Sequence, residues 1–192
     1  TAISQAFQES TPSAPKRTRA IVVVKDGWVV AERYAVGITP QTPLIGWSMT
    51  KSITHALIGI GVQRGELQVN EPLLLPEWRT DNDARQMITL DHLLRMNSGL
   101  AFDERTRSLD SDLVNMLTQE ANTGRFASNK PLTGKIGRDW SYSSGTTNIL
   151  SRGLRLAINN DSDYWSYPYE ALFKPLGMAS AYLETDSSGN FV

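Results

Sequence analysis

The chain has 192 residues, 40% of them hydrophobic and 20% charged, with a net charge of −1 and no cysteine. That balance offers no electrostatic footing for nucleic acid or an anionic membrane. The absence of cysteine excludes disulfides and thiol catalysis, and no stretch approaches the roughly 20 apolar residues of a membrane-spanning helix.

Residues 1–19 are polar and carry Pro12 and Pro15, which predicts an extended lead-in. Ala20–Val24 is a β-branched run with the look of a buried strand. Asp26-Gly27 suits a two-residue type I′ turn, and Trp28–Tyr34 returns antiparallel. After a loop over 35–47, residues 53–62 are uncharged and apolar on nearly every face, which predicts a helix buried all round, ended by Arg64-Gly65. Further helices are predicted from Thr89 to Met96, closed by Ser98-Gly99, and from Ser111 to Glu120. Ile149, Leu150, Gly153, Leu154, Ala157 and Ile158 form one helical stripe. A last helical stretch over residues 163–173 is broken or kinked by Pro168. The five tryptophans, Trp28, Trp47, Trp78, Trp140 and Trp165, read as core or rim.

Chemistry concentrates at two places. Ser48-Met49-Thr50-Lys51 is an S-x-x-K tetrad at the head of the apolar run. A serine needs a base to become a nucleophile. On a helix, positions i and i+3 share a face, roughly 5–6 Å apart at Cβ. Lysine acts as a base when burial or a helix N-terminus disfavours its charge. Alone, the tetrad more often describes a capping serine and a solvated lysine; the buried helix that follows favours the nucleophile-and-base reading. The second place is Tyr142-Ser143-Ser144. Tyr142 taken alone is an aromatic packed at a loop, and Ser144 a helix N-cap before Gly145–Asn148. His55 and His92 read as packed or capping histidines. No G-x-S-x-G elbow surrounds a serine, no H-x-x-H or Cys/His cluster suggests a metal, and no cofactor is implied. The acidic clusters at residues 81–83 and 110–112 lack an EF-hand pattern.

Trp47-Ser48-Met49-Thr50-Lys51-Ser52 resembles the nucleophile segment of serine β-lactamase-like hydrolases and penicillin-binding proteins, for which S-x-x-K is a known signature. The nearer relatives implied are class C β-lactamases, DD-peptidases, esterases and aminohexanoate-oligomer hydrolases. Gly65-Glu66-Leu67 with Glu71-Pro72-Leu73 resembles the turn after the family's nucleophile helix. Residues 88–100 resemble its ITLxHLLxHTSGL segment, residues 140–148 its Y-x-N/Y-x-S segment, and residues 173–178 its PLGM. The similarity runs in the family's order from about Arg19 to Val192.

The resemblance implies an α+β, β-lactamase/transpeptidase-like fold: a hairpin and a mostly helical remainder over residues 20–192, with the C-terminal strands of the sheet missing. None of the tripeptides that serve as the family's third motif (K-T-G or H-x-G) occurs, so the chain reads as the N-terminal portion of a longer domain, inactive alone. Ser48 is then the acyl-accepting nucleophile, its backbone N–H half of the oxyanion hole, and Ser144 a substrate-binding residue where class C β-lactamases carry asparagine. Either Lys51 or Tyr142 is the base. The implied activity is acyl-enzyme formation on a small ester, amide or β-lactam, in a bacterial periplasmic or secreted protein. The competing expectation is a non-catalytic member or fragment that only binds. The unpaired hairpin edge predicts self-association.

Overall fold

The computed structural model describes residues 2–9, 11–73 and 75–192. The chain falls into two compact units, Thr1–Leu44 and Ile45–Val192.

The first unit opens with a short helix, α1 (Ala2–Ala6), where an extended segment was expected. The Glu9 carboxylate then accepts the backbone N–H groups of Lys16 and Arg17, 2.6 and 2.7 Å away, which folds the proline-containing segment back on itself. Strands β1 (Ala20–Lys25) and β2 (Trp28–Tyr34) form the expected antiparallel hairpin. Asp26 and Gly27 have φ of +52° and +80°, as a type I′ turn requires. The register slips between Val23 and Val24, where β2 carries an extra residue. Burial was misread: Val22, Val23, Val24, Val29 and Val30 are all exposed. The apolar run makes a strand, but among the described residues the sheet has two strands only.

The second unit is helical. A 3₁₀ turn (Trp47–Met49) leads into α2 (Thr50–Gln63), which ends at Arg64 with Gly65 at φ +76°. Only Leu57, Ile58 and Gly61 of α2 are fully buried, and Ser52, His55 and Gly59 are exposed, so the expected all-round burial is not found. A second 3₁₀ turn (Pro76–Trp78) supplies Trp78, wholly buried and donating to the Ser128 carbonyl at 2.8 Å. Helix α3 (Leu90–Leu94) is shorter than expected, and Met96 at φ +57° and Gly99 at +77° turn the chain after it. His92 is the capping histidine anticipated: its Nδ1 accepts from Thr89 N–H, and the Thr89 hydroxyl accepts from His92 N–H. Helix α4 (Asp112–Thr118) is capped by Ser111. Helix α5 (Thr123–Ser128), capped by Asn122, was not anticipated; its six residues are too few to show a period.

The centre of the unit is α6 (Ser144–Ile158), which packs against α5, α3, α2 and α7 (Asp161–Pro168). Ile149, Leu150 and Leu154 from the predicted stripe enter a core with Leu57, Ile58, Trp78, Ile88, Leu90, Leu93, Met116 and Tyr164. Helices α5 and α6 approach closely because Gly124 lacks a side chain; a Cβ there would sit 2.7 Å from the Asn148 carbonyl oxygen. Glu77, Arg152 and Ser128 form a buried polar knot under this contact, with Arg152 Nη2 3.0 Å from Glu77 Oε2. At Pro168 the α-helix gives way to a π-helical turn (Tyr169–Phe173), the break expected of a proline with no N–H to donate. No helix among the described residues is long and apolar enough to cross a membrane.

Candidate active site

Ser48 stands in the 3₁₀ turn just before α2, and Lys51 on the first turn of that helix. Trp47, immediately before Ser48, has φ +46°, a conformation costly for a residue with a Cβ. The strained residue lies next to the residue singled out as nucleophile. The Trp47 ring and the Met49 side chain are exposed on either side of Ser48.

The second segment arrives from 94 residues away. Ser143 is the N-cap of α6 and accepts from the Thr146 N–H at 3.0 Å. This corrects the reading of Ser144 as that cap. Ser144 is the first residue of the helix, and its hydroxyl meets Lys51 of α2 instead of capping. Tyr142 precedes the cap, and the Ser141 N–H is held by the Met96 carbonyl at 2.9 Å.

The three predicted chemical groups converge. The Tyr142 hydroxyl donates to Ser48 Oγ at 2.8 Å. Lys51 Nζ donates to Ser48 Oγ at 3.3 Å and to Ser144 Oγ at 3.0 Å. The Lys51 ammonium also lies 4.9 Å from the centroid of the Tyr142 ring, within cation–π range. Ser48 is exposed, while Lys51 and Ser144 are half-buried. The Tyr142 hydroxyl is held below the ordinary tyrosine value, first by its hydrogen bond with Ser48 and then by the Lys51 ammonium. Partial burial and the Glu104 carboxylate act against this.

Glu104 is the residue that sequence reasoning missed. Its Oε2 accepts the Ser144 backbone N–H at 2.8 Å, and its Oε1 accepts the Ser144 hydroxyl. Inside Asp103-Glu104-Arg105 it had the look of an ordinary charged loop, and no local pattern distinguished it. Phe102 brings it in: its ring lies on Gly145, where a Cβ would come within 2.4 Å of it. Asp103 then fixes the loop, its N–H bound to the Asp112 carboxylate at 2.9 Å and its carbonyl to the Leu113 N–H at 3.0 Å.

His55 is exposed on α2. Among the tryptophans, Trp78 is core, Trp28, Trp47 and Trp140 are largely exposed, and Trp165 lies at the surface with its indole N–H on the Gly189 carbonyl at 3.0 Å.

A family model described as Beta-lactamase matches residues 10–191. The chain belongs to the beta-lactamase family. Solved structures agree. A protein from Bacteroides dorei assigned as a beta-lactamase is 25% identical, with a TM-score of 0.65 over 83% of this chain and 46% of its own. One from Bacillus anthracis assigned as a 6-aminohexanoate-dimer hydrolase is 20% identical, with a TM-score of 0.70 over 90% of this chain and 48% of its own. A penicillin-binding protein from Bacillus halodurans is 17% identical, with a TM-score of 0.51 over 70% of this chain and 40% of its own. The last two show likeness of fold alone. This beta-lactamase-family chain thus spans about half the length of the first two structures. No curated protein matches it. The fold is α+β and beta-lactamase-like, a two-stranded hairpin with a mostly helical remainder, as the resemblance implied.

Proposed function

We propose that this chain carries the nucleophile of a serine hydrolase that forms an acyl-enzyme on a small ester, linear amide or β-lactam. The observation that supports the reading most is Ser48 Oγ lying between Tyr142 OH at 2.8 Å and Lys51 Nζ at 3.3 Å. A hydroxyl flanked by two proton-transfer groups is the arrangement that an activated serine needs.

In the proposed reaction Tyr142 is the base. Lys51 already donates to two hydroxyls, and an ammonium has no lone pair to accept with. The depressed Tyr142 hydroxyl is the group better poised to lose its proton. Phenolate takes the Ser48 proton as Oγ attacks the carbonyl carbon. The carbonyl electron pair moves to oxygen, where the Ser48 N–H serves as one oxyanion donor. Collapse expels the alcohol, amine or lactam nitrogen, which takes the proton back from Tyr142. The acyl ester on Ser48 is then cleaved by water, whose proton passes to Tyr142 and from there to the departing Ser48 Oγ, 2.8 Å away. Short-chain esters and linear amides are the favoured substrates over cephalosporins. Ser144 offers one short hydroxyl where an asparagine amide both donates and accepts. The reading includes a periplasmic or secreted location. It also includes self-association of the chain through its hairpin edge, since an unpaired strand is a template for pairing.

The test is covalent labelling. Treatment with a fluorophosphonate, which needs one attack by Ser48 and no turnover, should add one probe mass to the chain, and the Ser48→Ala variant should stay unmodified with an unchanged far-UV circular dichroism spectrum. An adduct that persists in the alanine variant contradicts the assignment.

A further inference from the structure

We propose that Glu104 is a positioning residue of the nucleophile site: by taking the hydroxyl hydrogen of Ser144, it turns the Ser144 oxygen toward Lys51 as an acceptor and so anchors the ammonium against Ser48. The proposal rests on the reading of Ser48 as nucleophile.

The argument is one of hydrogen-bond inventory. A serine hydroxyl has one hydrogen and two lone pairs, and a carboxylate only accepts. Both Glu104 oxygens are used on Ser144, one for the backbone N–H and one for the hydroxyl. The single Ser144 hydrogen is therefore spoken for, and what remains for Lys51 at 3.0 Å is a lone pair. Lys51 has three N–H donors. One goes to Ser144, one to Ser48, and the ammonium sits over the Tyr142 ring. Without a fixed acceptor at Ser144, a four-carbon side chain has rotamer freedom to leave Ser48. With it, Lys51 is held from three sides. The same inventory leaves Ser144 without a hydrogen to give a substrate carbonyl, in contrast to an asparagine amide, so only a lone pair is left on its substrate side.

A plainer role is available, since Glu104 caps the first N–H of α6 and a carboxylate is favourable at a helix N-terminus. That role accounts for the bond to the backbone but not for the second oxygen on the side chain. The helix also already has Ser143 as its N-cap. The loop is built for reach as well, with Phe102 seated on Gly145 and Asp103 pinned to the start of α4. The charged groups facing Tyr142 are Lys51 from α2 and Glu104 from this loop, and they act on its hydroxyl in opposite directions.

The test is the fluorophosphonate labelling rate of Ser48, measured against pH, in four forms of the chain: unmodified, Glu104→Gln, Ser144→Ala and the double variant. Ser144→Ala keeps the backbone bond to Glu104, so it isolates the side-chain link even if Glu104→Gln folds poorly. Each single change should lower the plateau rate roughly 10–100-fold, the scale of a misplaced catalytic group. The double change should cost no more than the larger single one. In Ser144→Ala the rise of rate with pH should also move to higher pH, because Glu104 keeps its charge while the Lys51 ammonium that lowers the Tyr142 hydroxyl is loosened. A cap alone would lower the unfolding midpoint and leave rate and profile in place. Labelling of Ser144→Ala at the unmodified rate, an unmoved profile in Ser144→Ala, or effects that multiply in the double variant would each overturn the proposal. No labelling of Ser48 in the unmodified chain would instead remove the hydrolase reading, and this inference with it.

Discussion

The hairpin of the first unit and the helical core of the second are built from similar apolar residues and treat them oppositely. Val22, Val24, Val29 and Val30 are 50–60% exposed, whereas Ile58, Leu90, Leu93 and Ile149 are at most 1% exposed. The hairpin is specified locally, by β-branched residues and a turn whose two residues adopt positive φ. The helical unit is specified by contacts between distant segments around α6. The difference teaches that a run of valines reports strand conformation, while burial depends on what else arrives.

The largest expected effects separate the two units. Arg152→Met removes one partner of a buried ion pair and leaves the Glu77 carboxylate with Ser128 in place of its charged partner. Such a loss costs about 3–5 kcal/mol, readable as a lowered urea midpoint. Leu93→Ala in the same unit should cost about 2–5 kcal/mol by leaving a cavity. Val22→Thr in the hairpin should change the midpoint by no more than about 0.5 kcal/mol, as exposed positions do. A hairpin substitution as costly as the core one would show that the valines are covered in solution.

Acid should act on the helical unit through Glu77. Burial pushes its carboxyl up, but the hydrogen bonds from Arg152 and Ser128 outweigh it, and the value lies below the ordinary 4.5. A depressed carboxyl contributes stability that is full above the unfolded value and is lost as pH falls through the folded one. The urea midpoint should therefore hold above about pH 4.5 and fall below it, and Glu77→Gln should flatten that fall. A midpoint that falls equally in the Gln variant would remove Glu77 from the explanation.

A smaller effect is expected at the seam between the Glu104 loop and α6. Gly145→Ala places a Cβ 2.4 Å from the Phe102 ring. Overpacking of this kind costs about 1–3 kcal/mol. Because the ring carries the loop, the labelling rate of Ser48 should fall as well. Stability loss without a change in rate would show that the loop adjusts independently of the site.

Much of this was legible in the residues. Asp26-Gly27 announced the hairpin, Gly65 the end of α2, and the stripe from Ile149 to Ile158 the central helix. Ser48 and Lys51 were named from motif spacing and Tyr142 from the family resemblance, and the fold brings all three within hydrogen-bond reach. What escaped was decided by tertiary contacts. Whether Ser143 or Ser144 caps α6 is a matter of one residue, and adjacent serines look alike in a sequence. Glu104 reaches Ser144 only because Phe102 finds Gly145, 43 positions further on by residue number. The exposed flank of α2 and the exposed valines share one cause: apolar composition is a property of a segment, and burial is a property of its neighbours.

The most direct test of the account is whether Ser48, Lys51 and Tyr142 act as one proton-transfer unit. The measurement is the fluorophosphonate labelling rate of Ser48 in Lys51→Ala, Tyr142→Phe and the double variant. Groups that work as a unit are strongly non-additive. Each single change should slow labelling by roughly 10²-fold or more, and the double change should be little slower than the worse single. Rates that multiply cleanly across the double variant would contradict the account.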